Sequence, residues 1–169
     1  MYKVGDKVVY ATTGVCEVEK IENKQFGNIF KNYYILKPLL QPISAVFVPT
    51  DNERLTCKIH PVLTREQFDN VFENYSKCED VWVDEENLRR SLFDEILITG
   101  ERAHLISMIR NLHKHQQYQF SNGKRLHLAD ERLLKLAETI LFDEIKYVYS
   151  IEQDEVIAFL KKKLNLIEF

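Results

Sequence analysis

The apolar residues of this sequence change their spacing near Pro61, and that change constrains the fold more than any other feature. Up to that point they form short β-branched and aromatic runs, with glycine or proline at or near the ends of the runs. Beyond it they recur every three or four residues. The first pattern is typical of strands and the second of amphipathic helices. The sequence therefore predicts an α+β protein in which a β module precedes an all-helical bundle.

The β module is expected to occupy residues 1–60 and the helical domain residues 61–169. The apolar runs of the module predict strands within 4–10, 15–21, 33–36, 45–48 and 55–59. Short strands at roughly ten-residue spacing are typical of a small Tudor-like or SH3-like barrel. Because so short a domain buries little core, we expect it to be only marginally stable alone.

Local signals predict the boundaries of several helices. Thr64 and Gln67 have the spacing of a capping box at the start of the first helix. A second helix is predicted from about Asp84 to a stop at Gly100, and a third follows it. Ser121 is a candidate N-cap for the fourth helix.

Composition indicates a folded protein without an export or membrane segment. Apolar residues make up 45% and charged residues 29% of the chain, as in ordinary globular domains. No apolar run approaches the ~20 residues that a membrane span requires, and the charged start MYKVGDKVVY has no signal-peptide core. Three cysteines without metal-binding spacing predict free thiols in a reducing compartment. We therefore expect a cytoplasmic protein.

The net charge of −3 argues against a nucleic-acid binder held by bulk electrostatics, but the charges are unevenly distributed. The stretch from Arg102 to Ala129 contains no acidic residue. Its basic residues are Arg102, Arg110, Lys114, Lys124 and Arg125. This stretch is either a local contact for an anionic partner or a chance excess of cations on a solvated helix face. If it is a contact, the residues that should converge on one face are Arg102, Lys114, Lys124 and Arg125.

Motifs in both halves of the chain resemble those of one family. The β module contains KVGDKVVY at 3–10, YYILKP at 33–38 and VFVP at 46–49. The helical half contains Trp82, FDEIL at 93–97 and FSNGKR at 120–125. In this order and spacing, across residues 1–142, the chain resembles the CarD family of bacterial transcription regulators. The family's first module also occurs in the transcription-repair coupling helicase, but this chain has no G-x-x-x-x-G-K-[ST] phosphate-binding loop.

The resemblance implies that the β module docks on the β subunit of RNA polymerase. In the family, a basic residue in the loop after the second strand contacts that subunit, and Lys24 lies at the corresponding position. A second basic position lies two residues before the proline of the V-x-V-P motif, where this chain has Phe47. Phe47 removes a charged contact, and it either replaces that contact with an apolar one or weakens docking.

The resemblance also implies that the helical domain contacts promoter DNA and stabilises the open complex at the upstream edge of the bubble. An aromatic wedge can hold an unstacked base step, and basic neighbours fix its position through phosphate contacts that carry no sequence information. The residues implied in DNA contact are Trp82, Arg89, Arg90, Arg102, Lys114, Lys124 and Arg125.

Most of these candidates also have a structural interpretation. Trp82 could belong to a core or to an interface between the domains. The two adjacent arginines could pair with the acidic residues four positions earlier. Lys124 and Arg125 are expected in the first turns after Ser121, where cations oppose the helix dipole. Since the fold gives no local reason for cations there, these two are the preferred DNA candidates.

The alternative to a DNA-contacting regulator is a polymerase-binding adaptor without DNA contact, which the acidic balance of the helical domain favours. An enzyme is not expected. His113 and His115 are two residues apart, a spacing that separates side chains on a helix, and no serine or cysteine lies in a nucleophile-elbow context. We expect no catalytic residue, metal, cofactor, small-molecule ligand or membrane partner.

Overall fold

A computed structural model describes residues 1–11, 13–26, 29–75 and 82–166 of the protein. Within these residues, strands and one short helix occupy the N-terminal part, and longer helices follow. In chain order the elements are β1 (Lys7–Tyr10), β2 (Gly14–Phe26), β3 (Ile29–Pro38), β4 (Val46–Pro49), α1 (Glu53–Thr56), β5 (Ile59–Pro61), α2 (Arg65–Asn74), α3 (Glu86–Thr99), α4 (Arg102–Ser121), α5 (Leu128–Tyr149) and α6 (Val156–Leu164). The predicted order, a β module and then helices, is confirmed.

The strands form one antiparallel sheet with the order β4-β3-β2-β1-β5. The β2–β3 pair is the longest and has an irregular register between Val18 and Lys20. β4 and β5 lie at opposite edges, and within the described residues they do not pair with each other. β5 is short and ends at Pro61, which has no N–H to donate to a ladder. The predicted Tudor-like β module is confirmed, and its sheet is open, since the two edge strands do not meet within the described residues.

The predicted fifth strand at 55–59 is wrong. The chain instead makes one helical turn, α1, and then enters β5 at Ile59. Asn52 begins this turn, because its carbonyl oxygen accepts hydrogen bonds from the N–H groups of Leu55 (3.0 Å) and Thr56 (2.9 Å). Leu55 and Ile59, which the strand prediction joined, thus belong to two different elements.

Both faces of the sheet are covered. On one face lies the module's own core, formed by Val8, Tyr10, Cys16, Val18, Tyr34, Leu36, Val48 and Ile59. From the other face, Val9, Ala11 and Val15 join the cluster that the helices form. Successive strand residues point to opposite faces, so β1 contributes to both clusters. The β module and the helical domain therefore share a packed apolar interface.

Two predicted helix boundaries are confirmed. At the start of α2, the Thr64 hydroxyl accepts a hydrogen bond from the Gln67 N–H (3.2 Å), and the Gln67 side-chain oxygen accepts one from the Thr64 N–H (2.8 Å). α3 begins at Glu86, close to the predicted start, and ends at Gly100, whose φ is +65°. Capping and the left-handed conformation of glycine account for these boundaries.

The predicted cap at Ser121 is wrong, because Ser121 ends α4 and does not begin α5. Its hydroxyl donates to the carbonyl oxygen of Tyr118 (2.8 Å), within the last turn of the same helix. The chain then reverses at Gly123, whose φ is +70°, and α5 begins at Leu128.

The helical core is built around α4 and α5, and α6 packs against it. Its fully covered residues include Leu105, Ile106, Met108, Ile109 and Leu112 of α4, Ala137, Leu141 and Ile145 of α5, and Val156 and Leu160 of α6. None of the helices in the described part of the chain is both long and apolar enough to cross a membrane.

Candidate functional site

Lys24 lies inside β2 and not in a loop after it. β2 extends from Gly14 to Phe26, and Lys24 is directly opposite Lys31 of β3. The strand prediction ended at Ile21 because the following residues are mostly polar. Pairing with β3 carries the strand through this polar stretch, and side-chain propensity alone does not signal such pairing.

Lys24 and Phe47, the two residues implied in polymerase docking, are in contact. The Lys24 ammonium lies 4.6 Å from the centroid of the Phe47 ring, a cation–π distance, and Phe47 is 40% exposed. Lys24 also binds the Glu22 carboxylate (3.0 Å), and Lys31 binds that of Asp51 (2.8 Å). The hydrogen bond between Lys31 and Asp51 raises the pKa of the lysine and lowers that of the aspartate. We call Lys24, Lys31 and Phe47 the docking face.

Trp82 is partly buried among neighbouring side chains. Its ring lies 4.4 Å from the His115 ring and 6.5 Å from the Phe93 ring, centroid to centroid. The Arg89 guanidinium lies 4.6 Å from the same ring, and the indole N–H donates to an Asp84 carboxylate oxygen (3.0 Å). These contacts hold the indole against α3 and α4. Its role as a DNA wedge stays a prediction, but the ring does not stand free.

Arg89 is buried, with 6% of its surface exposed. Its guanidinium donates to both oxygens of Asp130 (3.4 and 2.9 Å) and to two backbone carbonyls just before α3 (2.9 and 3.1 Å). Glu85, the expected partner of Arg89, instead accepts hydrogen bonds from the first turn of α3. Arg90 is exposed. Of the two arginines, therefore, only Arg90 is accessible to a phosphate.

Arg102 joins the helical domain to the β module. Its side chain is 7% exposed, and that of its partner Glu144 is fully buried. The guanidinium donates to both Glu144 oxygens (2.8 Å each) and to the carbonyls of Gly100 (2.6 Å) and Pro61 (3.1 Å). Glu144 also accepts from the Leu63 N–H (2.8 Å). The expectation that Arg102 belongs to an exposed basic surface is therefore wrong, because its donors are used inside the protein.

Lys124 and Arg125 line a groove of about 450 Å³. Its lining residues, which define what we call the Phe120 groove, are Gln116, Gln117, Phe120, Lys124, Arg125, Leu126 and Glu131. Both cations are exposed and lie between α4 and α5. The prediction that they lie in the first turns of a helix is therefore wrong, and the helix-dipole argument does not apply to them. Lys114 is exposed on α4, outside this groove. Of the four cations expected to converge, two do so.

The two histidines of the H-x-H pair have different neighbours, as their helical spacing predicts. His113 binds the Glu138 carboxylate (2.8 Å), whereas His115 lies against Trp82. Within the described residues there is no group of three or more potential metal ligands.

Sequence reasoning missed the buried carboxylates that hold the two arginines. A signal for them was present, because Asp130 and Glu144 both fall on the apolar stripe of α5. That stripe is formed by Leu134, Ala137 and Leu141. A carboxylate on such a stripe is buried, and buried charges are paired.

Two comparisons with known proteins found similar sequences. Residues 2–63 match the family described as the CarD-like/TRCF RID domain. Over 159 residues the chain is 22% identical to a protein of Bacillus subtilis (strain 168) named "Putative transcription factor YdeB", in an alignment that covers 94% of this chain and 99% of that protein. Transcription factors are generally not enzymes. The N-terminal module therefore matches the CarD-like/TRCF RID domain family, in agreement with the resemblance to CarD proteins, and the comparisons indicate a transcription factor of that type.

Proposed function

We propose that this protein is a cytoplasmic transcription regulator that docks on the β subunit of RNA polymerase through residues 1–60. Residues 61–169 then contact promoter DNA at the upstream edge of the bubble and stabilise the open complex. The observation that carries this proposal is the contact between Lys24 and Phe47 on an exposed face of the family-matched domain.

The docking face offers a partner both apolar area and charge. The Phe47 ring replaces a basic residue of the family, and Lys24 lies over that ring and keeps its charge at the surface. Glu22 already accepts from Lys24, so an acidic group of the polymerase has to compete with it. An exposed ion pair of this kind contributes little to stability, so exchanging it for an intermolecular pair costs little.

Lys24→Glu in the full chain should weaken co-purification with RNA polymerase, because it reverses a charge on the docking face and removes the cation over Phe47. We expect a loss of about tenfold or more, since like charges placed together cost at least ~1.4 kcal/mol. Lys135→Glu is the matched control, because Lys135 is an exposed lysine on α5 that also pairs with a carboxylate, Glu131 (3.3 Å). Equal polymerase binding by both variants and the parent would place docking elsewhere.

Exposed cations of the helical domain support the DNA contact. Lys124, Arg125 and Lys114 lie in the acid-free stretch, and Arg90 is exposed on α3. Such residues bind phosphates without reading sequence, and a few contacts give only weak binding alone. Docking on the polymerase supplies the effective concentration that makes weak contacts sufficient.

The adaptor function without DNA contact is favoured by a different observation. Arg89 and Arg102 are both committed to buried carboxylates, which leaves an acidic domain with fewer cations for phosphates. The two functions differ in what the protein does to a promoter complex: an adaptor leaves the lifetime of the open complex unchanged, whereas a DNA-contacting regulator extends it.

A further inference from the structure

Phe120 is the most exposed large apolar side chain of the described helices, at 81%. Single exposed apolar residues are common on proteins, but Phe120 is not isolated. It forms one wall of the Phe120 groove, about 450 Å³ in volume, in which Leu126 supplies further apolar surface. Leu126 is only 8% exposed, so it is anchored in the helical domain.

The chain reversal after α4 fixes the shape of this groove. The Gly123 N–H donates to the Phe120 carbonyl (3.0 Å), and the Lys124 N–H donates to the Gln119 carbonyl (2.9 Å). These two bonds around a left-handed glycine form a Schellman motif. The motif returns Lys124 and Arg125 to the side of the helix that carries Phe120. The motif thus fixes the backbone positions of the aromatic residue and the two cations relative to one another.

The groove combines three kinds of chemistry. Phe120 offers an exposed ring face, Lys124 and Arg125 offer cations that pair with no carboxylate of the described residues, and the amides of Gln116 and Gln117 offer both donors and acceptors. The acid in the lining is Glu131, whose charge is offset by Lys135 (3.3 Å). A cationic groove with an aromatic platform is how proteins hold the bases and phosphates of unpaired nucleotides.

We propose that the Phe120 groove binds an unpaired nucleotide of DNA, with the base stacked on Phe120 and the adjoining phosphates on Lys124 and Arg125. This inference rests on the proposed function, because an open promoter complex is where the protein meets unpaired DNA. It also assigns the aromatic contact with DNA to Phe120 instead of Trp82, because the Trp82 ring already contacts His115 and Arg89.

The combination of two cations with an exposed aromatic ring indicates which kind of ligand fits the Phe120 groove. A base inside a duplex has both faces covered by its neighbours, so Phe120 has no face to stack on without unstacking it. A peptide of acidic residues alone satisfies the two cations but offers no aromatic face to the ring. An unpaired nucleotide satisfies both.

The test measures binding of the full chain, at low ionic strength, to two fluorescent strands of equal length. One is single-stranded DNA of mixed sequence, and the other consists of abasic sites, which keep the phosphates and lack the bases. Phe120→Ala should weaken binding of the normal strand by about tenfold or more, the expected loss of one stacked base, and leave binding of the abasic strand unchanged. Phe120→Tyr should bind as the parent does.

Tyr118→Ala is the matched control, because Tyr118 is an aromatic residue of the same helix, 64% exposed, that does not line the groove. It should bind both strands as the parent does. Thermal unfolding of each variant shows that the fold is retained.

Three results would overturn the inference. They are an equal loss for both strands in Phe120→Ala, no detectable binding of either strand by the parent, and displacement of the strand by a glutamate-rich peptide whose own binding requires Phe120. Co-purification of the same variants with RNA polymerase tests the proposed docking independently of nucleotide binding. If the parent fails to bind polymerase, the proposed docking is wrong whatever the strands show.

Discussion

Adjacent residues on α3 show how much the environment of a side chain depends on its position around the helix. Arg89 lies four residues before Phe93, on the stripe that also contains Ile96 and Leu97, and it is buried with Asp130. Arg90 lies off that stripe and is exposed. The apolar stripe could have identified Arg89 as a buried residue from the sequence, but its partner on α5 could not be identified, because the distance between helices is a property of the fold.

Arg89→Ala should lower the free energy of unfolding by about 3–5 kcal/mol, because it leaves the Asp130 carboxylate buried without its partner. Arg90→Ala, the neighbouring control, should change it by less than about 0.5 kcal/mol. Urea denaturation of the full chain measures both. Similar small losses in the two variants would mean that the Arg89–Asp130 pair contributes no more than a surface pair.

Trp82→Ala tests whether the indole is packed or free. Because the ring contacts Phe93, His115 and Arg89 but is only partly buried, we expect a loss of about 2 kcal/mol, less than the ~3–5 kcal/mol of a fully buried tryptophan. Chemical denaturation followed by circular dichroism gives this value without the tryptophan signal. An unchanged stability together with a shorter-lived open complex would instead support the wedge.

Two helices, α3 and α4, end in the same way in different surroundings. α3 ends at Gly100 and α4 is followed by Gly123, both with positive φ. A Cβ at Gly123 would meet nothing within 4 Å, whereas one at Gly100 would lie 2.6 Å from Cδ2 of His60 in β5. Gly100 is therefore required both by backbone conformation and by the approach of the β module.

Gly123→Ala should cost about 1 kcal/mol of stability, the penalty of a left-handed alanine. Gly100→Ala should cost clearly more, because His60 has to move as well. Thermal unfolding of the two variants, compared with the parent, gives the difference. Equal losses of stability would show that His60 moves away from the added methyl group at position 100 without lowering the stability further.

The elements could be predicted where a local signal controls them. The capping box at Thr64 and the stop at Gly100 depend on residues within one turn, and both predictions are confirmed. The errors at Ser121 and at 55–59 have another origin. Ser121 fits either end of a helix by composition, and its role is decided by the reversal at Gly123.

The sequence predicted two modules but not how closely they pack. Val9, Ala11 and Val15 lie in the helical cluster, and the Gln41 side-chain amide donates to the Asp143 carboxylate across the junction (2.9 Å). A signal for this packing was present in β1, where consecutive apolar residues indicate a strand that is covered on both faces. The opening of the sheet could not be predicted, because it depends on how far β4 and β5 lie from each other.

The packed interface also bears on function. The docking face lies on the β module, and the Phe120 groove lies on the helical domain. Because the domains share apolar core, and because the buried Arg102 donates to the Pro61 carbonyl of β5, docking one of them orients the other. A regulator built in this way can present weak DNA contacts to the promoter in a fixed geometry.

The most direct test is the lifetime of the competitor-resistant open promoter complex of RNA polymerase, measured with and without the full chain. We expect the parent protein to extend this lifetime. We also expect Lys24→Glu, through loss of docking, and the double variant Lys124→Ala/Arg125→Ala, through loss of phosphate contacts, each to abolish the extension. Lys162→Glu, at an exposed lysine of α6 outside the docking face and the Phe120 groove, should retain it. A parent protein that binds polymerase yet leaves the lifetime unchanged would mean that the protein is an adaptor without DNA contact.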